Sequence, residues 1–221
     1  YLADGGGVMP LHAANNSFTG WNGFEQAVGL LWRPKEFGVS VFFDELGKIQ
    51  REEKGQGRNM GHGGVYDWKM TVRDTSNPIT ANMPVNWIHR YDELYHGQRG
   101  PAEKLNILLS AYSDPKNGGT GKDEPIVWWV PVGKGKMLTN VMGHVGETAC
   151  LSCVGYQTVL LRSIEWLATG KTSTVIPGDF PTTKASQFYP GGVVKVLPSP
   201  QDLSVEESMK RFTLPPGYRI E

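Results

Sequence analysis

Close to a fifth of this chain is glycine or proline, 28 and 15 of its 221 residues, and that punctuation constrains the fold more than any single motif. Proline fixes φ and removes a backbone donor, while glycine opens turn conformations closed to other residues. A chain so interrupted is built from many short elements joined by elaborate loops. Its balance is otherwise globular: 39% hydrophobic and 20% charged residues exclude a disordered chain and a coiled coil. The length fits one domain, or one domain with appendages. Lys plus Arg equal Asp plus Glu at 22 each, which removes the electrostatic reason to expect nucleic acid or an anionic membrane surface. No apolar run approaches the ~20 residues of a membrane helix. Two cysteines are too few for a disulfide scaffold.

Periodicity then assigns elements. Residues 8–13 form a short apolar strand that breaks at His12-Ala13-Ala14-Asn15-Asn16. Over 19–32, Trp21, Phe24, Val28 and Leu31 share one helical face, with Pro34 as the stop. Phe37, Val39, Val41 and Phe43 alternate as a strand, as do Tyr66, Trp68, Met70 and Val72. Between them, 44–64 reads as a polar, glycine-rich surface excursion. The stretch 87–95 mixes aromatic and acidic residues and fits neither period. Residues 105–109 form an apolar strand. Residues 126–130 and 137–142 form a hairpin about Gly133-Lys134-Gly135, and a helix carries Tyr156, Leu160, Ile164 and Leu167 to Gly170. Beyond 170 periodicity is lost, apart from a capping-box pattern at Ser204-Val205-Glu206-Glu207. Strands alternating with helices predict an α/β fold with a mainly parallel sheet. Ligands of such sheets sit beyond the carboxyl ends of the strands.

Two predicted strands end in histidine, His12 and His144, so both imidazoles are expected on one rim as base, donor or metal ligand. Glu147 follows His144 and could orient it. Asp92 and Glu93 lie between Tyr91 and Tyr95, where carboxylates beside aromatic rings suit polyols; an acidic helix start is the plainer reading. His62, among glycines, reads as a solvated loop residue. His89 and His96 bracket the acids without metal-ligand spacing such as His-Glu-x-x-His. Cys150-Leu151-Ser152-Cys153 is a C-x-x-C ahead of a helix: packed thiols or a disulfide, with a redox motif as the weaker reading. No phosphate-binding glycine motif occurs, so no nucleotide cofactor is expected. Trp21, Trp68 and Trp166 fall on predicted core faces, leaving Trp32, Trp87, Trp128 and Trp129 freer for ligand stacking.

Four segments in order resemble one family. Gly5-Gly6-Gly7 leading to Leu11-His12-Ala13-Ala14, Asp92-Glu93-Leu94-Tyr95, the run from Pro125 and Trp128 through Gly133-Lys134-Gly135 to Gly143-His144, and Arg162-Ser163-Ile164-Glu165-Trp166 resemble ThuA-like (trehalose-utilisation) domains. The resemblance covers residues 4–170. It implies a flavodoxin-like, class I glutamine-amidotransferase-like three-layer sandwich, here expected to lack its first strands. Residues 1–170 would be the ThuA-like domain and 171–221 an irregular extension. Where amidotransferases carry a nucleophilic Cys, this chain has His12-Ala13, so amidotransferase chemistry is not expected. Asn77-Pro78 replaces the family's His-Pro. Residues 209–220 resemble the lead-in to a propeller-type dehydrogenase domain. With Tyr1 at the start, this suggests a piece of a longer, exported bacterial protein.

The function expected is a carbohydrate-processing domain acting on a glycoside or keto-sugar by acid/base chemistry. Glu93 or His144 would take a proton and His12 return it, with Asp92, Tyr95 and Trp21 holding the sugar. His12, Glu93 and His144 could equally bind a divalent metal. The alternative is a non-catalytic sugar-binding or interaction module docked to a fused dehydrogenase domain. An exposed sheet edge would be covered by a partner segment, a homo-oligomer or a preceding half.

Overall fold

Residues 1–144 and 148–184 are described by a computed structural model; Glu147, the capping-box segment and 209–220 lie outside them. In chain order the elements are β1 (Gly7–Val8), a 3-10 turn (His12–Asn16), α1 (Asn22–Val28), β2 (Ser40–Phe43), β3 (Ile49–Glu52), β4 (Val65–Val72), β5 (Asn86–Glu93), β6 (Asn106–Tyr112), a second 3-10 turn (Pro115–Asn117), β7 (Asp123–Val132), β8 (Gly135–Asn140), α2 (Thr148–Ser152) and α3 (Val154–Thr169). The sheet runs β1-β8-β7-β6-β4-β5, with the β2–β3 hairpin joined to β7 at Phe43 and Asp123.

The fold is α/β with a mixed sheet, and the expectation of a mainly parallel one is corrected. β1 pairs parallel to β8, whereas every other strand ladder among the described residues is antiparallel. The reason lies in the connections. Parallel neighbours need crossovers of a dozen or more residues, usually helical, and no α-helix occurs between Val28 and Thr148 among the described elements. Strands there are joined by turns. At the β7–β8 hairpin Gly133 adopts φ 60°, and a Cβ on it would stand 2.7 Å from the Ala3 backbone. The helical period read over 19–32 shrinks to α1 because Gly29, at φ 79°, terminates it.

The core lies between the sheet and α3, and Trp87, Trp128, Leu108, Ile126 and Leu138 are fully buried in it. Trp87 and Trp128, expected to be free for stacking, are therefore structural; Trp128 donates its indole N–H to the Val28 carbonyl at 2.8 Å. Trp21 corrects the opposite way: it precedes α1 at 59% exposure instead of packing on a core face.

β5 explains why 87–95 matched no period. Tyr66 pairs with Asp92 and Trp68 with His89, so Arg90 and Tyr91 together oppose Asp67. This β-bulge inserts one residue and inverts the alternation beyond it. Tyr91 takes φ 45°, and its N–H donates to the Asp67 carboxylate at 3.0 Å. In consequence His89 and Asp92, three apart, both point inward and are fully buried.

The excursion 44–64 is more ordered than its composition implied. It contains β3, and its far end is strapped to the segment after β5. Gly61 bridges His96, while the buried Arg99 donates from Nη2 to the carbonyls of Gln56 (2.7 Å) and Arg58 (2.8 Å).

α3 rests on β5 through Gly155, where an added Cβ would meet the Trp87 ring at 2.4 Å. Gly→Ala inside a helix ordinarily stabilises by ~1 kcal/mol. Here overpacking outweighs that gain, and Gly155→Ala is expected to destabilise by roughly 1–3 kcal/mol. Urea unfolding monitored by circular dichroism measures it; a more stable variant would contradict the packing described.

Candidate functional site

Three chain segments converge on Glu93. The bulge sets Glu93 at the end of β5. Leu11, bridged to Asn140 at the end of β8, delivers His12 in a left-handed conformation (φ 44°), uncommon for a residue with a side chain. The main chain leaving β8 delivers His144, and the strapped excursion delivers His62. His12 Nε2 lies 3.5 Å from Glu93 Oε2, and the Nε2 atoms of His62 and His144 each lie 3.7 Å from Oε1. Tyr95 packs its ring 4.5 Å from that of His12 and contacts its Nδ1 at 3.3 Å through the hydroxyl. Trp32 stands 4.5 Å from Tyr95 and 6.0 Å from His62, closing one wall with aromatic surface.

Burial lowers the pKa of His12 below the ordinary histidine value, against the opposing charges of Asp92 and Glu93. Its ring is therefore neutral at neutral pH. Burial also raises the Tyr95 pKa, reinforced by Glu93 and Asp92, so the phenol keeps its proton. Tyr95 then donates to His12 Nδ1, which leaves the His12 proton on Nε2, facing Glu93. That Nε2 is buried and makes no hydrogen bond, its approach to Glu93 remaining at 3.5 Å.

Behind this group lies a second, fully buried one. His89 Nε2 and Asp92 Oδ2 are 2.8 Å apart. The same Asp92 carboxylate accepts from the backbone N–H groups of Gly143 (2.7 Å), His144 (3.1 Å) and Glu93 (2.9 Å). Burial alone would raise the Asp92 pKa, but the His89 hydrogen bond and charge and the two distant amides hold it at about 2. Burial likewise opposes the charged form of His89, yet Asp92 and then Cys153 lift its pKa to about 9. The Cys153 pKa is lowered by His89 against the effect of burial, and burial with Asp92 drives that of Cys150 upward. Cys150 Sγ also contacts the His144 carbonyl at 3.4 Å. Neither cysteine is in a disulfide.

Of the residues singled out from sequence, His12, Glu93, His144 and Tyr95 come together. Asp92 does not face the pocket: expected to hold hydroxyls, its carboxylate is buried and occupied by the donors just described. Trp21 stacks with Phe24 and meets Phe18 edge-on, in a cluster of its own. His62, read as a solvated loop residue, lies in the site beside Glu93, and His89, set aside for want of metal-ligand spacing, is buried behind it. The one sequence signal for His89 was the broken alternation of 87–95. His62 had none, because its partners arrive through the fold. His12, His62, His144 and Glu93 are donor types that suit zinc, but among the described residues no group of three or more such side chains is arranged to hold a metal ion.

The family model described as ThuA, trehalose utilisation, matches residues 1–167. Among solved structures, a ThuA-like protein of Parabacteroides merdae ATCC 43184 is similar with 35% identity and a TM-score of 0.80, over 86% of this chain and 70% of that one. A ThuA-like protein of Bacteroides uniformis ATCC 8492 aligns at 22% identity and TM-score 0.47, over 78% and 62% of the two chains. A search of curated proteins returned no match.

The buried histidines set opposing pH limits on stability. His89 binds its proton more tightly folded (about 9) than unfolded (about 6.5), so its contribution is complete below pH 6.5 and lost as pH rises through 9. His96 is held at about 4 by burial, with the Arg58 and His62 charges adding to the effect. Its contribution is complete above pH 6.5 and lost as pH falls towards 4. Each effect is on the order of 3 kcal/mol at most. Burial raises the Glu124 pKa to about 7, which opposes His96 below neutrality, so the histidines are read from variants: the alkaline decline in melting temperature should be flattened in His89→Gln, and the change towards acid pH should lose the His96 contribution in His96→Gln. A Tm that rises steadily from pH 6 to 9 would refute the assignment.

Proposed function

Because the chain belongs to the ThuA (trehalose utilisation) family, we propose that it is a carbohydrate-processing domain that shifts a proton beside the carbonyl of a keto-sugar, with Glu93 as the base and His12 as the donor. The observation that carries this reading is that the cluster offers one working carboxylate. Hydrolysis of an unactivated glycoside by the common route uses two carboxyl groups flanking the bond. Asp92, the neighbouring acid, is buried and held at about 2 by its donors, so it has no proton to give near neutral pH. A carbon acid next to a carbonyl asks for less: one base, and one donor for the oxygen on which charge develops.

Glu93 takes the proton. The neutral His12 ring, fixed by Tyr95, turns Nε2–H towards the same space and stabilises the enolate oxygen. His144 and His62, both partly exposed, flank Glu93 Oε1 and connect it to solvent for proton return. Trp32 and Tyr95 cover the apolar face of the sugar ring. No step requires a nucleophile, in keeping with the histidine that stands where class I glutamine amidotransferases, the wider kinship implied by the sequence motifs, place a cysteine. In the same proposal, residues 1–170 form the working domain and 171–221 a connection towards a dehydrogenase-type partner in an exported protein.

Incubating the protein in deuterated water with keto-trehalose, followed by NMR, should show enzyme-dependent exchange at the carbon beside the carbonyl. Glu93→Gln is expected to lower the rate by about 10²–10⁴-fold, the usual range for loss of a general base. The acid limb of the pH profile should lie below 6.5, since burial lowers the His12 pKa. Sugar affinity without exchange would move the assignment to a binding module. Activity lost to a chelator and restored by a divalent cation would move it to metal-assisted chemistry.

A further inference from the structure

The His89–Asp92 pair touches neither the pocket nor solvent, and nothing in the proton-transfer scheme uses it. A buried ion pair is costly to desolvate and often no more stabilising than apolar residues of the same volume. What this pair does geometrically is specific. One carboxylate spans two segments: on β5 it takes the His89 ring and the Glu93 N–H, and across the sheet the N–H groups of Gly143 and His144. Those segments carry the two partners of the 3.7 Å contact between Glu93 Oε1 and His144 Nε2. The bulge serves the same end, since without the inserted residue His89 and Asp92 would fall on opposite faces.

We infer that His89 is a positioning residue, which through Asp92 clamps the main chain at Gly143–His144 and so sets the His144 ring against the Glu93 carboxylate. The inference rests on the reading of Glu93 and His144 as working residues. When His89 carries both ring protons it neutralises Asp92, and the carboxylate can hold several donors at once. When His89 loses its charge, Asp92 is an uncompensated anion in an apolar setting, and the loop at 143–144 resettles. The titratable groups facing the pair are Cys153, at the cap between α2 and α3, Tyr156 from α3, with its ring 6.2 Å from that of His89, Cys150 from α2 on the Asp92 side, and, from the pocket side, His12 and Tyr95, whose charges couple to that of Asp92. Trp68 and Trp87 close the remaining sides.

The test is a pH titration of the full chain labelled with ¹³C,¹⁵N-histidine, with no ligand present. His89 ring signals report their own titration. The His144 ring signals should show a step at that same pH. In His89→Gln, which keeps a donor but cannot titrate, that step should vanish. His144 signals that pass through the His89 midpoint without inflection in the wild type would overturn the inference, even if the variant failed to fold. A step that persists in folded His89→Gln would overturn it as well. Turnover is not read, so failure of the keto-sugar exchange experiment leaves this result standing, and the converse holds equally.

Discussion

Much of this structure hangs on one inserted residue in β5. The bulge at Arg90 and Tyr91 converts an alternating strand into one that buries His89 and Asp92 side by side and then presents Glu93. Asp92, once inside, must be satisfied, because a buried carboxylate without donors is strongly disfavoured. Its donors come from its own strand and from the segment after β8, which ties β5, at one end of the sheet path, to the chain leaving β8 at the point where the histidines gather. Fold and site are thus joined by one solvation requirement.

The polar groups divide by depth. In the deeper layer, charges are paired and fixed: His89 with Asp92, and Cys153 beside His89. In the shallower layer one carboxylate faces three imidazoles at 3.5–3.7 Å, long for hydrogen bonds and open to an intervening oxygen. Burial affects the two layers differently. It leaves His12 neutral, whereas the close pairing of His89 overrides the same effect and keeps that ring charged. Two histidines a few ångströms from the same acidic pair thereby take opposite protonation states at neutral pH.

Some of this was legible in the chain. α3, β4 and the β7–β8 hairpin follow from local periodicity and from glycines at their ends, because side-chain pattern and backbone period agree over whole elements. His12 and His144 could be grouped because each follows a predicted strand, and Glu93 because it lies beside Tyr91 and Tyr95; all three stand in segments resembling a family motif. His62 could not: it lies in a glycine-rich stretch with no period, and its place near Glu93 depends on Arg99 strapping the excursion down. Sheet direction was misjudged because a helical period over 19–32 implied a crossover that Gly29 cuts short.

By itself, then, the sequence determined which residue types were available, where the chain must turn, and that His12 and His144 follow predicted strands, since these follow from local sterics and hydrophobic alternation. The tertiary structure alone decided that the sheet is mixed, that Asp92 turns inward while Glu93 turns to the pocket, that Trp21 stands apart, and that His62 joins the site. Those outcomes depend on contacts between segments far apart in the chain. A density of glycine and proline announces many turns, but which strands they bring into register is settled by burial.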